Sequence, residues 1–377
     1  MIKKLLQGQA VEWRALGEIL VRTKGTKITA GKMKELHKNN APIKIFAGGK
    51  TFALVDFDDI PQKDINHKPS IIVKSRGIIE FEYYDKPFSH KNEMWAYHSQ
   101  NPNINIKFIY YFLKQNEPYF QKIGSKMQMP QIATPDTDKF KIPIPPLSVQ
   151  SQIVQILDTF TELTAELTAE LTAELSMRQK QYQYYRDFLL SEHELAKVGF
   201  EWKSLGELGI INRGKRVIKN QLTTEGSYPV YQNSLQPLGY FDKSNVKANT
   251  TFMITAGAAG EIGYSNCAFW SADDCYYFDC PKDVLDNRFL YHSLKKQQNK
   301  IFSQVRKASI PRLGRNSVEN IKIPIPPLSV QSQIVAILDT FDTLTQSISE
   351  GLPKEIQLRQ TQYEYYREQL LNFKATI

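Results

Sequence analysis

One block of twenty residues occurs twice in this chain. Residues 141–160 read KIPIPPLSVQSQIVQILDTF, and residues 322–341 read KIPIPPLSVQSQIVAILDTF, differing only where Gln155 faces Ala336. The offset of 181 residues is close to half of the 377-residue chain. Two copies at so long a period exclude a solenoid and imply one duplicated unit with two similar halves.

The match continues outside the block. RQKQYQYYRDFLL from Arg178 faces RQTQYEYYREQLL from Arg359 at the same offset. Upstream, Lys126 and Pro130 face Lys307 and Pro311, and Phe108, Tyr110, Leu113 and Lys114 face Phe289, Tyr291, Leu294 and Lys295. The opening of each unit is also shared, as EWRALGE from Glu12 and EWKSLGE from Glu201. Each unit therefore has a variable front and a nearly constant rear, which suggests one kind of task performed on two different targets.

Both rears begin PIPPLS, where prolines hold off helix and Ser148 or Ser329 can cap the free amides of the helix beyond. Ile153, Ile156, Leu157, Phe160 and Leu163 recur at helical spacing. The run continues to Leu190 without Gly or Pro, about 66 Å of helix at 1.5 Å per residue, and it is too polar to cross a membrane. Within it the tetrapeptide Thr-Ala-Glu-Leu repeats from Thr164, Thr168 and Thr172, placing Leu163, Leu167, Leu171 and Leu175 four apart. The second rear keeps the stripe in different words, with Leu344, Ile348, Leu352 and Ile356. A stripe that survives rewording is what a seam between antiparallel helices requires, and such a pair places the two fronts at opposite ends of a rod. Gly351 and Pro353 are positions where the second helix can kink or break.

The chain carries a formal charge of +9. Residues 147–190 and 328–371 each hold six acids against three bases, a net −3 apiece, so the remainder holds +15. A mildly acidic rod with basic fronts points to a polyanion bound by the fronts. Cys267, Cys275 and Cys280 are an odd number confined to the second front, without the spacing of a zinc site, and read as reduced, buried thiols. With no apolar core for a signal peptide in MIKKLLQGQAVEW, the expected location is cytoplasmic.

The fronts read as mixed α/β. Strand-like stretches from Ser70 and Thr250 precede helical runs from Phe108 and Phe289. Basic clusters recur at matched places: Lys24-Gly25-Thr-Lys27 against Arg213-Gly214-Lys215-Arg216, where glycine lets a loop approach phosphates and the cations contact them or a guanine edge. Lys74 and Arg76 form a second cluster, and Lys126 with Arg306, Lys307, Arg312 and Arg315 a third. Gln232, Asn233 and Gln236, with Gln128 and Gln131 in the first front, are polar side chains able to read base edges.

The search for catalysis returns little. Gly49-Lys-Thr51 resembles the end of a P-loop, but Lys44 stands where its first glycine belongs, and the glycines at 257, 260 and 263 do not make a dinucleotide fingerprint. The residues Pro135-Asp-Thr-Asp-Lys139 are too compressed for a nuclease carboxylate set, no base-methylation motif is found, and no histidine pairs with a nucleophile. The expected protein is not an enzyme by itself.

Two variable basic fronts, alternating with two near-identical helical regions and a TAEL array in the central helix, resemble the specificity subunit of type I restriction–modification systems over essentially the whole chain. The resemblance implies an α/β (α+β) recognition domain at 1–146, a central helix at 147–195, a second recognition domain at 196–327 and a C-terminal helix at 328–377. It implies that each front reads one half of a split sequence in double-stranded DNA, that two modification subunits dock on this subunit, and that two restriction subunits join them. It implies no cofactor on this chain, with S-adenosylmethionine, ATP and magnesium on the partners. The rival expectations are a coiled-coil scaffold and an autonomous DNA-modifying enzyme.

Overall fold

The computed structural model describes residues 2–125, 129–346 and 351–373. The chain forms two compact units, residues 1–168 with 357–377, and residues 169–356. Each unit gathers a front, part of the central helix and part of the C-terminal helical region. The unit boundary falls at Thr168, inside the tetrapeptide array.

In the first unit a four-stranded sheet runs in the order Val21–Arg22, Trp95–His98, Ser70–Lys74, Glu80–Tyr84. A three-stranded sheet runs Phe52–Val55, Ile43–Phe46, Phe88–His90, its last pair parallel. The second unit has the same two sheets: Ile211–Arg213, Cys275–Phe278, Thr250–Ile254, Ile262–Ser265, and Gly239–Phe241, Tyr228–Tyr231, Trp270–Ser271, again with a parallel last pair. The strand-like runs expected from Ser70 and Thr250 are thus antiparallel hairpins in matching sheets, the first strand of each internal and the second at the edge. Ser70–Lys74 and Thr250–Ile254 are buried at every position because both faces are covered.

Each front is closed by a short ladder between its first strand and the start of its rear. Trp13 pairs with Pro143, and Trp202 with Pro324. The prolines are tolerated because each ladder has only two strands, which leaves their missing donors at an edge.

The helices expected from Phe108 and Phe289 span Ile106–Gln115 and Asn287–Lys296. Asn105 caps the first and Asp286 the second, each side chain accepting from two backbone amides. Phe108, Ile109, Tyr111, Phe112 and Leu113 are buried in one, and Phe289, Leu290, Tyr291, His292 and Leu294 in the other. So broad a stripe buries because each helix packs on its sheet on one side and on a rear helix on the other. Each fully buried Phe or Leu contributes roughly 1.5–3 kcal/mol.

The central helix is continuous over Leu147–Leu189. It and the helix Leu328–Gln346 begin one residue before Ser148 and Ser329, so these serines lie within the first turn rather than at the cap. A buried glutamine organises each junction instead. Gln150 Oε1 accepts from the Asn105 amide at 2.8 Å, and its Nε2 donates to the Asn103 and Pro145 carbonyls. Gln331 repeats this with the Asp286 amide at 2.8 Å and the Val284 and Pro326 carbonyls.

In the first unit the central helix packs antiparallel to Leu352–Leu371: Phe160 stacks on Tyr366 at 5.3 Å, and the Thr161 hydroxyl meets that of Tyr363 at 3.1 Å. In the second unit its far end packs on Leu328–Gln346, with Tyr185 stacked on Phe341 at 5.3 Å. The two ring pairs are the same pair with the partners exchanged between copies. Among the described residues the second rear forms the helices Leu328–Gln346 and Leu352–Leu371; Gly351, just before the latter, has φ +81°, and a Cβ there would sit 2.7 Å from the Leu344 carbonyl oxygen. The doubt raised by Gly351 and Pro353 thus falls at a helix boundary, while Ile348 of the expected stripe lies outside the described residues. No helix among the described residues is long and apolar enough to cross a membrane.

Candidate nucleic-acid interface

In the second unit a chain of backbone hydrogen bonds joins most of the basic positions singled out in sequence. The Gly214 amide donates to the Cys275 carbonyl at 3.0 Å, and that of Lys215 to Ser271 at 2.9 Å. Arg213 Nε donates to the Asp273 carbonyl at 3.3 Å. The neighbouring Asp274 carbonyl accepts from Thr255, whose own carbonyl accepts from Leu313. Arg306 and Arg312 exchange both backbone hydrogen bonds, and Gly257 donates to Pro311. The Asn233 carbonyl accepts from Ala258 at 2.9 Å, which adds the polar turn at 232–238 to the same edge. Arg213, Lys215, Arg216, Arg306, Lys307 and Arg312 are all exposed on it, with Asn233 and Gln236; Gln232 is half-buried. Arg315 is exposed as well, but its guanidinium is paired with Glu319 at 2.7 Å.

The first unit has the same frame. The Thr26 amide donates to His90 at 2.8 Å, Ile132 donates to Ser75, and Gly77 donates to Pro130. Lys24, Lys27 and Arg76 are exposed. Arg76 is bridged to Gln131 where the second unit bridges Ala256 to Arg312. The same backbone bridge thus presents one arginine in each unit, from opposite arms. Lys126 and Gln128 lie outside the described residues.

Lys74 sits differently from the sequence expectation. Its side chain is 10% exposed and held by Glu80 at 2.6 Å and Glu82 at 2.9 Å. Glu82 also takes Lys44 at 3.1 Å, and these two lysines hold its carboxyl below the usual carboxylate range against the opposing cost of burial. Lys74 is an internal counter-ion for two acids, not a cation offered to solvent. Gly25 and Gly214 also have a reason that sequence did not supply. A Cβ on Gly25 would lie 2.4 Å from the His90 carbonyl oxygen, and one on Gly214 only 1.9 Å from that of Ala272. Each basic loop is pressed onto a neighbouring strand end, so the glycine is required by packing inside the protein.

Each unit also carries a polar contact between front and rear. Asp158 takes Lys107 at 2.7 Å and the Tyr111 hydroxyl at 2.5 Å. At the matching positions Asp339 takes Arg288 at 2.7 Å and His292 Nε2 at 2.7 Å. His292 is fully buried, with Tyr182 3.1 Å from its Nδ1. Burial lowers its pKa, while the hydrogen bond to Asp339 opposes that shift. Against the expectation that all three cysteines are buried, Cys275 is buried, Cys280 half-buried and Cys267 exposed; burial pushes the Cys275 and Cys280 thiols up to about 12.

Comparison with known proteins bears on this arrangement. The profile of the Type I restriction modification DNA specificity domain matches twice, over residues 10–177 and 197–358. A putative type I restriction enzyme specificity subunit of Haemophilus influenzae is 32% identical across 99% of this chain and 98% of its own length. A type I restriction enzyme specificity subunit of Escherichia coli is 34% identical across 99% of this chain and 96% of its own. The crystal structure of a type I restriction–modification S subunit from M. genitalium superposes with a TM-score of 0.61 at 20% identity, covering 97% of each chain. A chain from a study of complex assembly in the type I restriction–modification system superposes with a TM-score of 0.63 at 15% identity, covering 96% of this chain and 98% of the other. At those identities the superpositions speak to fold, and the sequence matches speak to family. With both halves matched by one profile, and with full-length relatives above 30% identity, the chain belongs to the type I restriction–modification DNA specificity family.

Proposed function

We propose that this protein is the DNA-recognition subunit of a type I restriction–modification complex, with each front reading one half of a bipartite target in double-stranded DNA. The observation that carries this is a repeated frame with unlike exposed residues. Both units hold the same sheets, the same glycine loop and the same backbone bridges, while the side chains offered on that edge differ. Identical frames with different exposed polar and basic residues suit two different base sequences. Exposed lysines and arginines on the loops neutralise phosphates and set the register, and polar side chains between them meet base edges in the major groove.

The near-identical rears suit two equivalent docking sites, one for each of two modification subunits, with two restriction subunits joining the assembly. S-adenosylmethionine chemistry and ATP- and magnesium-dependent cleavage belong to those partners, and this chain acts by placing them on DNA. The test is selection from a pool of random duplexes by this chain assembled with its modification subunit. Two short conserved blocks separated by a fixed gap are expected. A single contiguous block, or no enrichment by an assembled complex, overturns the proposal, and methylation by the purified chain alone overturns its non-catalytic role.

A further inference from the structure

One motif takes no part in the basic edge, Gly49-Lys50-Thr51. It is not a P-loop, but the fold gives it a definite place. Phe46 pairs with His90 in a parallel bridge, and the Lys91 amide donates to the Phe46 carbonyl at 2.9 Å. In the second unit Tyr231 pairs with Ser271 in the same way, and the Ala272 amide donates to the Tyr231 carbonyl at 2.9 Å. Phe46 is therefore the structural counterpart of Tyr231. The residues that leave the sheet after Phe46 are the counterpart of the turn that begins at Gln232. The two turns differ in length: the first has returned to its strand by Phe52, the second by Gly239.

Both turns stand beside the glycine loop of their own unit. Thr26 is bridged to Lys91 in the first, and Lys215 donates to Ser271 in the second. Both present the same mixture of polar and apolar side chains. Lys50 and Thr51 are exposed, and Phe52 keeps 48% of its surface exposed. Leu235 and Leu238 stand out in the second turn, beside Asn233 and Gln236. Behind the first turn lies a cleft of about 720 Å³, lined by Lys34, His37, Phe52, Lys91 and Glu93 among others.

We propose that the first front reads bases of its half-site with the turn at residues 48–52, Lys50 contacting a guanine edge and Phe52 packing on a thymine methyl. This rests on the reading of the chain as a DNA-recognition subunit and assigns where its first front touches bases. A lysine reaches the O6 and N7 acceptors of guanine, and an apolar side chain discriminates thymine by its methyl group. The backbone of the turn is fixed by the sheet, whereas Lys50 and Thr51 stand exposed and Phe52, half of it in solvent, meets His37 edge-on at 6.4 Å and the Lys44 ammonium 5.1 Å from its ring centre. That combination allows a target to change without changing the fold.

The experiment uses the full chain co-expressed with its modification subunit in a host whose genome is then mapped for methylation. Lys50→Ala, Phe52→Ala and, in the other front, Gln236→Ala are compared with the wild-type chain, with assembly confirmed by co-purification. Either first-front variant is expected to relax positions within one half-site, or to lower methylation there roughly ten-fold, while the gap and the other half stay intact. Gln236→Ala is expected to alter the opposite half. An unchanged motif at unchanged level in both first-front variants overturns the assignment, as does equal weakening of both halves. If the wild-type chain in an assembled complex writes no bipartite motif, the underlying reading fails first and the assignment falls with it.

Discussion

Lys74 and Arg216 both lie in basic stretches of sequence, and only their surroundings separate them. Arg216 is exposed on the loop beside Ser271, while Lys74 is enclosed by Glu80 and Glu82. Arg216→Ala is expected to weaken DNA binding with a salt slope shallower by about one, measured by titration at several ionic strengths; an unchanged slope removes it from the phosphate contacts. Lys74→Ala is expected to leave that slope unchanged. It should instead destabilise the first unit by about 1–2 kcal/mol, because the partly buried Glu80 loses its counter-ion and Glu82 keeps only Lys44; thermal melting reads the loss. This difference was not legible in the sequence, where burial of a lysine has no signature. The glycines at 25 and 214 were legible as special, but for the wrong physical reason. Their neighbours are a strand end of the same unit, far away in sequence.

Among the elements, the front-to-rear junctions were the most legible, because packing forbids drift. The PLSVQ run is preserved since Gln150 and Gln331 each satisfy an amide and two carbonyls from inside the protein. Gln331→Ala strands those groups in a buried site and is expected to cost about 2–4 kcal/mol, read as a lower melting temperature of the full chain. The polar contact between front and rear was not legible, because Lys107 and Tyr111 in one copy face Arg288 and His292 in the other. That exchange gives the second unit a pH response. The folded state holds His292 below its ordinary value of 6.5, so the unfolded chain binds the proton more tightly. Stability from the neutral, buried ring is complete above about pH 6.5 and declines as pH falls from there toward the folded pKa. Asp339, also lowered, adds a decline in the same direction in the more acidic range. Melting temperatures from pH 8 to pH 5 should fall less for His292→Gln than for the wild-type chain; parallel curves contradict this. The equivalence of the turns at 48–51 and 232–238 is at the illegible extreme, since their lengths and residue orders differ and only strand register reveals it.

At the scale of the whole molecule, the duplication determines most of the architecture. One profile matched twice, two sheets built twice and one ring pair formed twice are consequences of a repeat visible in the sequence. The tetrapeptide array lies in the helix that runs continuously from one unit into the next. Removing one repeat shortens that helix by about 6 Å and turns its downstream part by a net 40° or so, close to the twist of DNA per base pair. The most direct measurement is therefore the methylome of a host co-expressing this chain with its modification subunit, with and without one Thr-Ala-Glu-Leu repeat. A bipartite methylated motif is expected, with the same two halves in both cases and a shorter gap after the deletion. A motif in one block, or a deletion that changes a half-site and leaves the gap alone, would contradict the account.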